Sequence, residues 1–111
     1  MTDKIVVLST CPDEASAVRL ARHLVERRLA ACVNLVPGVR SIYHWKGALE
    51  ESQEVLLVIK TRRDVFSALE KELTAIHSYE VPEVIALPIV EGSRNYLAWL
   101  ERDLPAEGEA V

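Results

Sequence analysis

Five consecutive β-favouring apolar residues, Val55-Leu56-Leu57-Val58-Ile59, constrain this chain more than any other feature. Successive side chains of a strand point to opposite faces, so this strand carries apolar groups on both. Both faces need cover. The flanking sequence reads as one helix before the hairpin that holds this strand and one after it, which leaves little chain to lie over a second sheet face. A further copy of the chain is the expected cover.

The 111 residues suffice for one domain that buries about two thirds of its unfolded surface. An apolar content of 50% excludes a wholly disordered chain, and no run approaches the length of a membrane span. The start Met1-Thr2-Asp3-Lys4 lacks the features of a secretory signal, so a cytoplasmic protein is expected. Seventeen acidic against thirteen basic side chains give −4, which repels phosphate backbones, and Arg62-Arg63 is too short a basic patch to reverse that. Neither nucleic acid nor membrane is expected as a partner.

Along the chain, Lys4 to Thr10 reads as a strand, with Pro12 in the first turn of a helix capped by Thr10 or Cys11. Ala17, Val18, Leu20, Ala21, Leu24, Val25 and Leu29 share one side of that helix, which is expected to end near Ala30. A long strand from Cys32 passes a bulge or kink at Pro37-Gly38 and reaches a turn at Lys46-Gly47. The return strand runs from about Leu49 to Thr61. Asp64 is positioned to cap a second helix with a stripe of Val65, Phe66, Leu69, Leu73 and Ile76. A strand at Val84 to Val90 and a short helix from Gly92-Ser93 follow. Residues 1–104 are expected to form a single domain and 105–111 a frayed tail. The order βαββαβ plus a terminal helix is an α+β, ferredoxin-like sandwich, with two helices on one face of an antiparallel sheet. An oligomer, a homotrimer for instance, closes the other face.

Several segments carry a family resemblance: Ala30-Ala31-Cys32-Val33-Asn34, Pro37-Gly38, Ser41-Ile42-Tyr43-His44-Trp45 with Gly47, Lys60-Thr61, His77-Ser78-Tyr79-Glu80-Val81-Pro82-Glu83, and Tyr96-Leu97-Ala98-Trp99-Leu100. In this order, from about Ile5 to Leu104, the chain resembles the CutA divalent-cation-tolerance family. The resemblance implies a homotrimer built like the PII-type signalling proteins, and a protein of copper and divalent-metal tolerance rather than an enzyme.

Soft and borderline metals prefer thiolate and imidazole, which makes Cys11, Cys32, His23, His44 and His77 the donors to weigh, with Glu80 and Glu83 as oxygen donors. None shows metal-ligand spacing. His23 falls on the charged helix face, as a solvated residue. His44, beside Trp45, fits a subunit contact. His77 closes the second helix, where a protonated imidazole would serve as a plain cap. Its alternative role as a ligand comes from the family motif, in which a proline stands where this chain has Ser78. Cys32 reads either as a packed thiol or, by its place in the family motif, as a ligand. Some metal-binding members carry a further cysteine at the position of Ser9, and Cys11 takes that part only if the first strand continues so far.

Up-and-down bookkeeping separates Cys11 from Cys32 by a helix of about 25 Å, which rules out a disulfide between them. It puts His77 at the Cys11 end, so a site uniting Cys32 with His77 has to be assembled across subunits. Two other functions compete with copper capture. A PII-like sensor would hold an anion with Lys60, Arg62 or Arg63, although no glycine-rich phosphate loop is present. An enzyme would need a catalytic arrangement, and Glu50-Glu51 on a hairpin reads as a solvated edge rather than an acid–base pair.

Overall fold

The computed structural model describes residues 2–108. Four strands, β1 (Lys4–Cys11), β2 (Cys32–Trp45), β3 (Ala48–Arg62) and β4 (Ile85–Pro88), alternate with α1 (Glu14–Glu26) and α2 (Phe66–Ile76), and α3 (Arg94–Arg102) follows. The sheet order is β2-β3-β1-β4, with every neighbouring pair antiparallel.

Strand parity sorts the side chains. Val55, Leu57 and Ile59 of β3, with Ile5 and Val7 of β1, pack under α1 and α2 against Leu20, Leu24, Leu69 and Leu73. Leu56 and Val58 lie on the opposite face and are half-buried. The expected bare face is not wholly bare, because α3 closes one end of it with charge as well as apolar contact. Arg62, 1% exposed, donates to Asp64 at 2.5 Å, to the Pro105 carbonyl at 2.7 Å and to Glu101. Lys4 adds ion pairs to Asp3 at 2.6 Å and Glu101 at 2.9 Å. Of the segment expected to fray, Pro105 and Gly108 are thus held, the Gly108 N–H by Asp64 at 3.0 Å, and residues 109–111 lie outside the described residues.

β2 and β3 pair from Cys32↔Lys60 to Trp45↔Ala48, with the expected bulge between Val36 and Val39. Lys46 and Gly47 both adopt positive φ, as a two-residue hairpin turn requires. Since β1 ends opposite Val55, the hairpin beyond it projects as an arm of roughly 20 Å. On it Ile42 and Leu49 are 64% and 69% exposed.

Four local expectations need correction. Cys11 belongs to β1, because Pro12 has no N–H for the ladder and stops the strand only after Cys11; Asp13, not Thr10 or Cys11, caps α1 by accepting from the Ser16 N–H at 2.7 Å. α1 ends at Glu26 rather than near Ala30. There Arg28, at φ 59°, reverses the chain while the N–H groups of Arg28 and Leu29 return to the carbonyls of Val25 and Leu24. Asp64 does not cap α2, since its carboxylate is taken by Arg62 and a 3-10 turn at Arg63–Val65 leads into the helix instead. The last strand is shorter than expected, Ile85–Pro88.

Candidate functional site

The end of β1, the C-terminus of α2 and the base of the arm meet in one chain of hydrogen bonds. Val65, Leu69 and Leu73 anchor α2 to the core, and its helical geometry ends at Ile76, so His77 leaves the helix in extended conformation and turns back towards β1. His77 Nδ1 accepts from the Tyr79 N–H at 3.0 Å, which puts the ring proton on Nε2. That N–H donates to the Thr10 carbonyl at 2.7 Å. His77, the C-cap residue of α2, therefore brackets strand and loop through both ring nitrogens.

The thiol of Cys11 lies 3.8 Å from the same Nε2 and is 2% exposed. Burial, helped by the negative charges of Asp13 and Glu54, pushes its pKa up to about 11. It is a protonated thiol at neutral pH. Thiol and imidazole face a cleft of about 280 Å³ shared with Ser16, Arg19 and His23. His23 is not simply solvated, for its Nε2 sits 2.5 Å from Glu72 of α2, and this bond holds the Glu72 carboxyl below its ordinary pKa.

Beyond Tyr79 the chain of bonds crosses to the helix-free face. The Tyr79 hydroxyl donates to Glu54 at 2.7 Å, and the Ser41 hydroxyl donates to the other carboxylate oxygen at 2.5 Å. Glu54 is 8% exposed. Burial of the Tyr79 phenol, and then this bond to a carboxylate, raise its pKa well above the ordinary phenol value. Neither Glu54 nor Ser41 stood out as a site residue in the sequence. The available signal was phase, since Glu54 shares the parity of Leu56 and Val58, where a carboxylate interrupts an apolar stripe.

Cys32 lies elsewhere. It pairs with Lys60, five residues along β3 from the Val55 that faces Cys11, a separation of roughly 17 Å along the sheet. Its side chain is on the face opposite α1 and α2, at the end where its strand partner Lys60 meets Tyr96 of α3, and lies 3.9 Å from Asn34 Oδ1. Both cysteines are free thiols. His44 is exposed on the arm, and Glu80 and Glu83 are exposed on the loop after Tyr79. No three of these donors converge on one point among the described residues.

Four antiparallel strands in this order, with α1 and α2 on one face, define a ferredoxin-like α+β protein whose polar site links the β1 end to the arm. Comparison with known proteins carries the assignment further. The family described as CutA1 divalent ion tolerance protein matches residues 5–103. A divalent-cation tolerance protein CutA of Thermus thermophilus is 53% identical over 98 residues, covering 88% of this chain and 95% of that protein. The human protein CutA is 52% identical over 92% of this chain, which spans 57% of the human protein's length. Among solved structures, CutA from Xylella fastidiosa superimposes with a TM-score of 0.91 at 41% identity, covering 94% of this chain and all of that one. This chain belongs to the CutA1 divalent ion tolerance family. A periplasmic CutA of Archaeoglobus fulgidus, 35% identical with a TM-score of 0.87 over 90% of this chain, has the same fold. No helix among the described residues is long and apolar enough to cross a membrane.

Proposed function

We propose that this protein is a homotrimer that captures copper in response to metal load, at sites completed between subunits. The observation that carries this reading is the approach of the Cys11 thiol to His77 Nε2, 3.8 Å, beside an accessible cleft. Sulfur and imidazole nitrogen are the donors a soft cuprous ion prefers, whereas magnesium and calcium want oxygen cages. One chain supplies two such donors here, so the third comes from a neighbour. Cys32 suits that part because it lies on the helix-free face, where Val36, Ile85 and Leu87 are exposed and Leu8, Leu56 and Val58 only half covered.

The thiol's raised pKa makes the site selective. Only an ion that competes strongly with a proton for sulfur displaces it, and affinity falls as pH falls. Free thiols also suit a reducing compartment, and we place the protein in the cytoplasm on that ground. An anion sensor is less well supported: Arg62 is consumed by Asp64, Glu101 and the Pro105 carbonyl, and Lys60 donates to the Tyr96 hydroxyl at 3.2 Å.

Cuprous ion titrated anaerobically into wild type, Cys11→Ser, Cys32→Ser and His77→Ala, with sedimentation of each, tests the proposal. Weaker binding by all three variants in trimeric form is expected. Unchanged binding by trimeric Cys11→Ser and His77→Ala would remove the proposed site, and a monomeric wild type would remove the shared one.

A further inference from the structure

We propose that Tyr79, anchored by Glu54, is a positioning residue that holds the thiol–imidazole pair closed, so that His77 takes a metal ion only after the Tyr79 amide has left its ring. The inference rests on the copper reading of this site and adds the bond that regulates it.

As the ring stands, neither nitrogen has a lone pair to give. Nε2 carries the ring proton and donates it to the Thr10 carbonyl at 2.7 Å, and the Nδ1 lone pair is taken by the Tyr79 N–H at 3.0 Å. A ligand histidine coordinates as neutral imidazole, with one nitrogen on the metal and the proton on the other. Two routes lead there. If Nε2, the nitrogen 3.8 Å from the Cys11 sulfur, becomes the donor, its proton moves to Nδ1, and the Tyr79 N–H then faces another N–H and is pushed away. If instead the ring turns over and offers Nδ1 to the cleft, the Tyr79 N–H faces a ring carbon. Both routes end the bond from Tyr79.

The resistance to that step is built on the other side of the loop. The Tyr79 ring lies 4.7 Å from the imidazole, centroid to centroid, and its hydroxyl donates to Glu54 at 2.7 Å. Glu54 is 8% exposed and is held in turn by the Ser41 hydroxyl at 2.5 Å. Swinging the Tyr79 amide away therefore strains or breaks a hydrogen bond to a buried carboxylate, which is among the stronger bonds a side chain makes. The closed arrangement dominates at rest, and the apparent metal affinity is the intrinsic one reduced by the fraction of open protein. Glu54 meets neither copper donor, yet it sets that fraction.

Cuprous ion titrated anaerobically, against a competing chelator, into wild type, Tyr79→Phe, Glu54→Gln and His77→Ala tests this, with hydrogen exchange of the amide at position 79 and nitrogen NMR of the imidazole recorded with and without the ion. Tyr79→Phe keeps the ring and removes only the anchoring hydroxyl. It should speed exchange of that amide in the copper-free protein and tighten copper binding, each about tenfold. Glu54→Gln, which keeps an acceptor of the same shape without the charge, should do both to a smaller extent. In wild type, copper should deprotect the Tyr79 amide and shift the Nδ1 resonance. A merely structural role for the Tyr79 hydroxyl predicts the opposite sign, a loosened site that binds more weakly. Equal or weaker binding by Tyr79→Phe, with binding lost in His77→Ala, overturns the inference and leaves the copper reading standing. So does a Tyr79 amide as well protected with copper as without it. Absence of binding by wild type, or full binding by His77→Ala, removes the copper reading and this inference with it.

Discussion

Replacing Ser9 by alanine should stabilise this protein. Ser9 is fully buried on β1, opposite Leu57 and beneath the helices, and its hydroxyl has no hydrogen-bond partner among the described residues. A desolvated hydroxyl without a partner costs about 1–3 kcal/mol. Deleting its oxygen leaves a gap of about 10 Å³, a penalty of only ~0.2 kcal/mol at ~24 cal/mol per Å³. The net expectation for Ser9→Ala is a gain of about 1–3 kcal/mol. Urea unfolding at one fixed protein concentration is the assay, because dissociation linked to unfolding would otherwise shift the midpoint. The midpoint should rise at unchanged slope. A loss of 1 kcal/mol or more would refute the reasoning, since it would mean that the hydroxyl has a partner whose bond outweighs its burial.

Three further outcomes are expected. Buried and with a thiol pKa of about 11, Cys11 should resist iodoacetamide at pH 8 and label only when denaturant opens the fold; mass mapping of the labelled peptides checks this. The hydrogen bond from Arg62 holds the Asp64 carboxyl below its ordinary pKa, so its stabilisation is present above about pH 4 and lost as pH falls through the lower folded value. Asp64→Asn should therefore show a shallower loss of stability in acid than wild type, and an equally steep loss would assign the acid sensitivity elsewhere. Val58→Asp places a charge in the apolar middle of the helix-free face and should yield dissociated or aggregated chains on sedimentation, whereas a normal assembly would show that this face meets water in the native protein.

What the sequence makes legible is periodic. The alternate burial of Val55, Leu57 and Ile59 against Leu56 and Val58 follows from strand parity alone, and Pro37-Gly38 and Lys46-Gly47 mark bulge and turn by backbone chemistry. Illegible features depend on burial and backbone conformation that the folded chain sets. Asp64 has the side chain of a good helix cap, but a buried guanidinium two residues away binds it more strongly than a helix N-terminus does. The early end of α1 rests on Arg28 at positive φ, a position where glycine would have announced itself. His77 was identifiable as a residue of interest, yet its place as a bracket follows only from the Tyr79 N–H and Thr10 carbonyl on either side of its ring.

Thr10 joins the two sides of the sheet at this end of the protein. Its carbonyl receives the His77 N–H beside Cys11, and its side chain lines the cleft that holds Glu54 and Tyr79. Any ligand that takes His77 Nε2 must replace the bond to Thr10 and so releases one of the two contacts that fix the ring. The other contact, from the Tyr79 N–H, then carries the displacement along the loop to the Tyr79–Glu54 bond on the opposite face. Occupancy of the thiol–imidazole pair and the shape of the aromatic cleft are therefore mechanically linked through three residues. By thermodynamic reciprocity, any group that fixed Tyr79 against Glu54 and any ligand that took His77 Nε2 would alter each other's affinity by the same factor. An unchanged Tyr79 ring signal in NMR spectra of His77→Ala compared with wild type would show that the loop absorbs the displacement at Ser78, where this chain lacks the restraint a proline would impose.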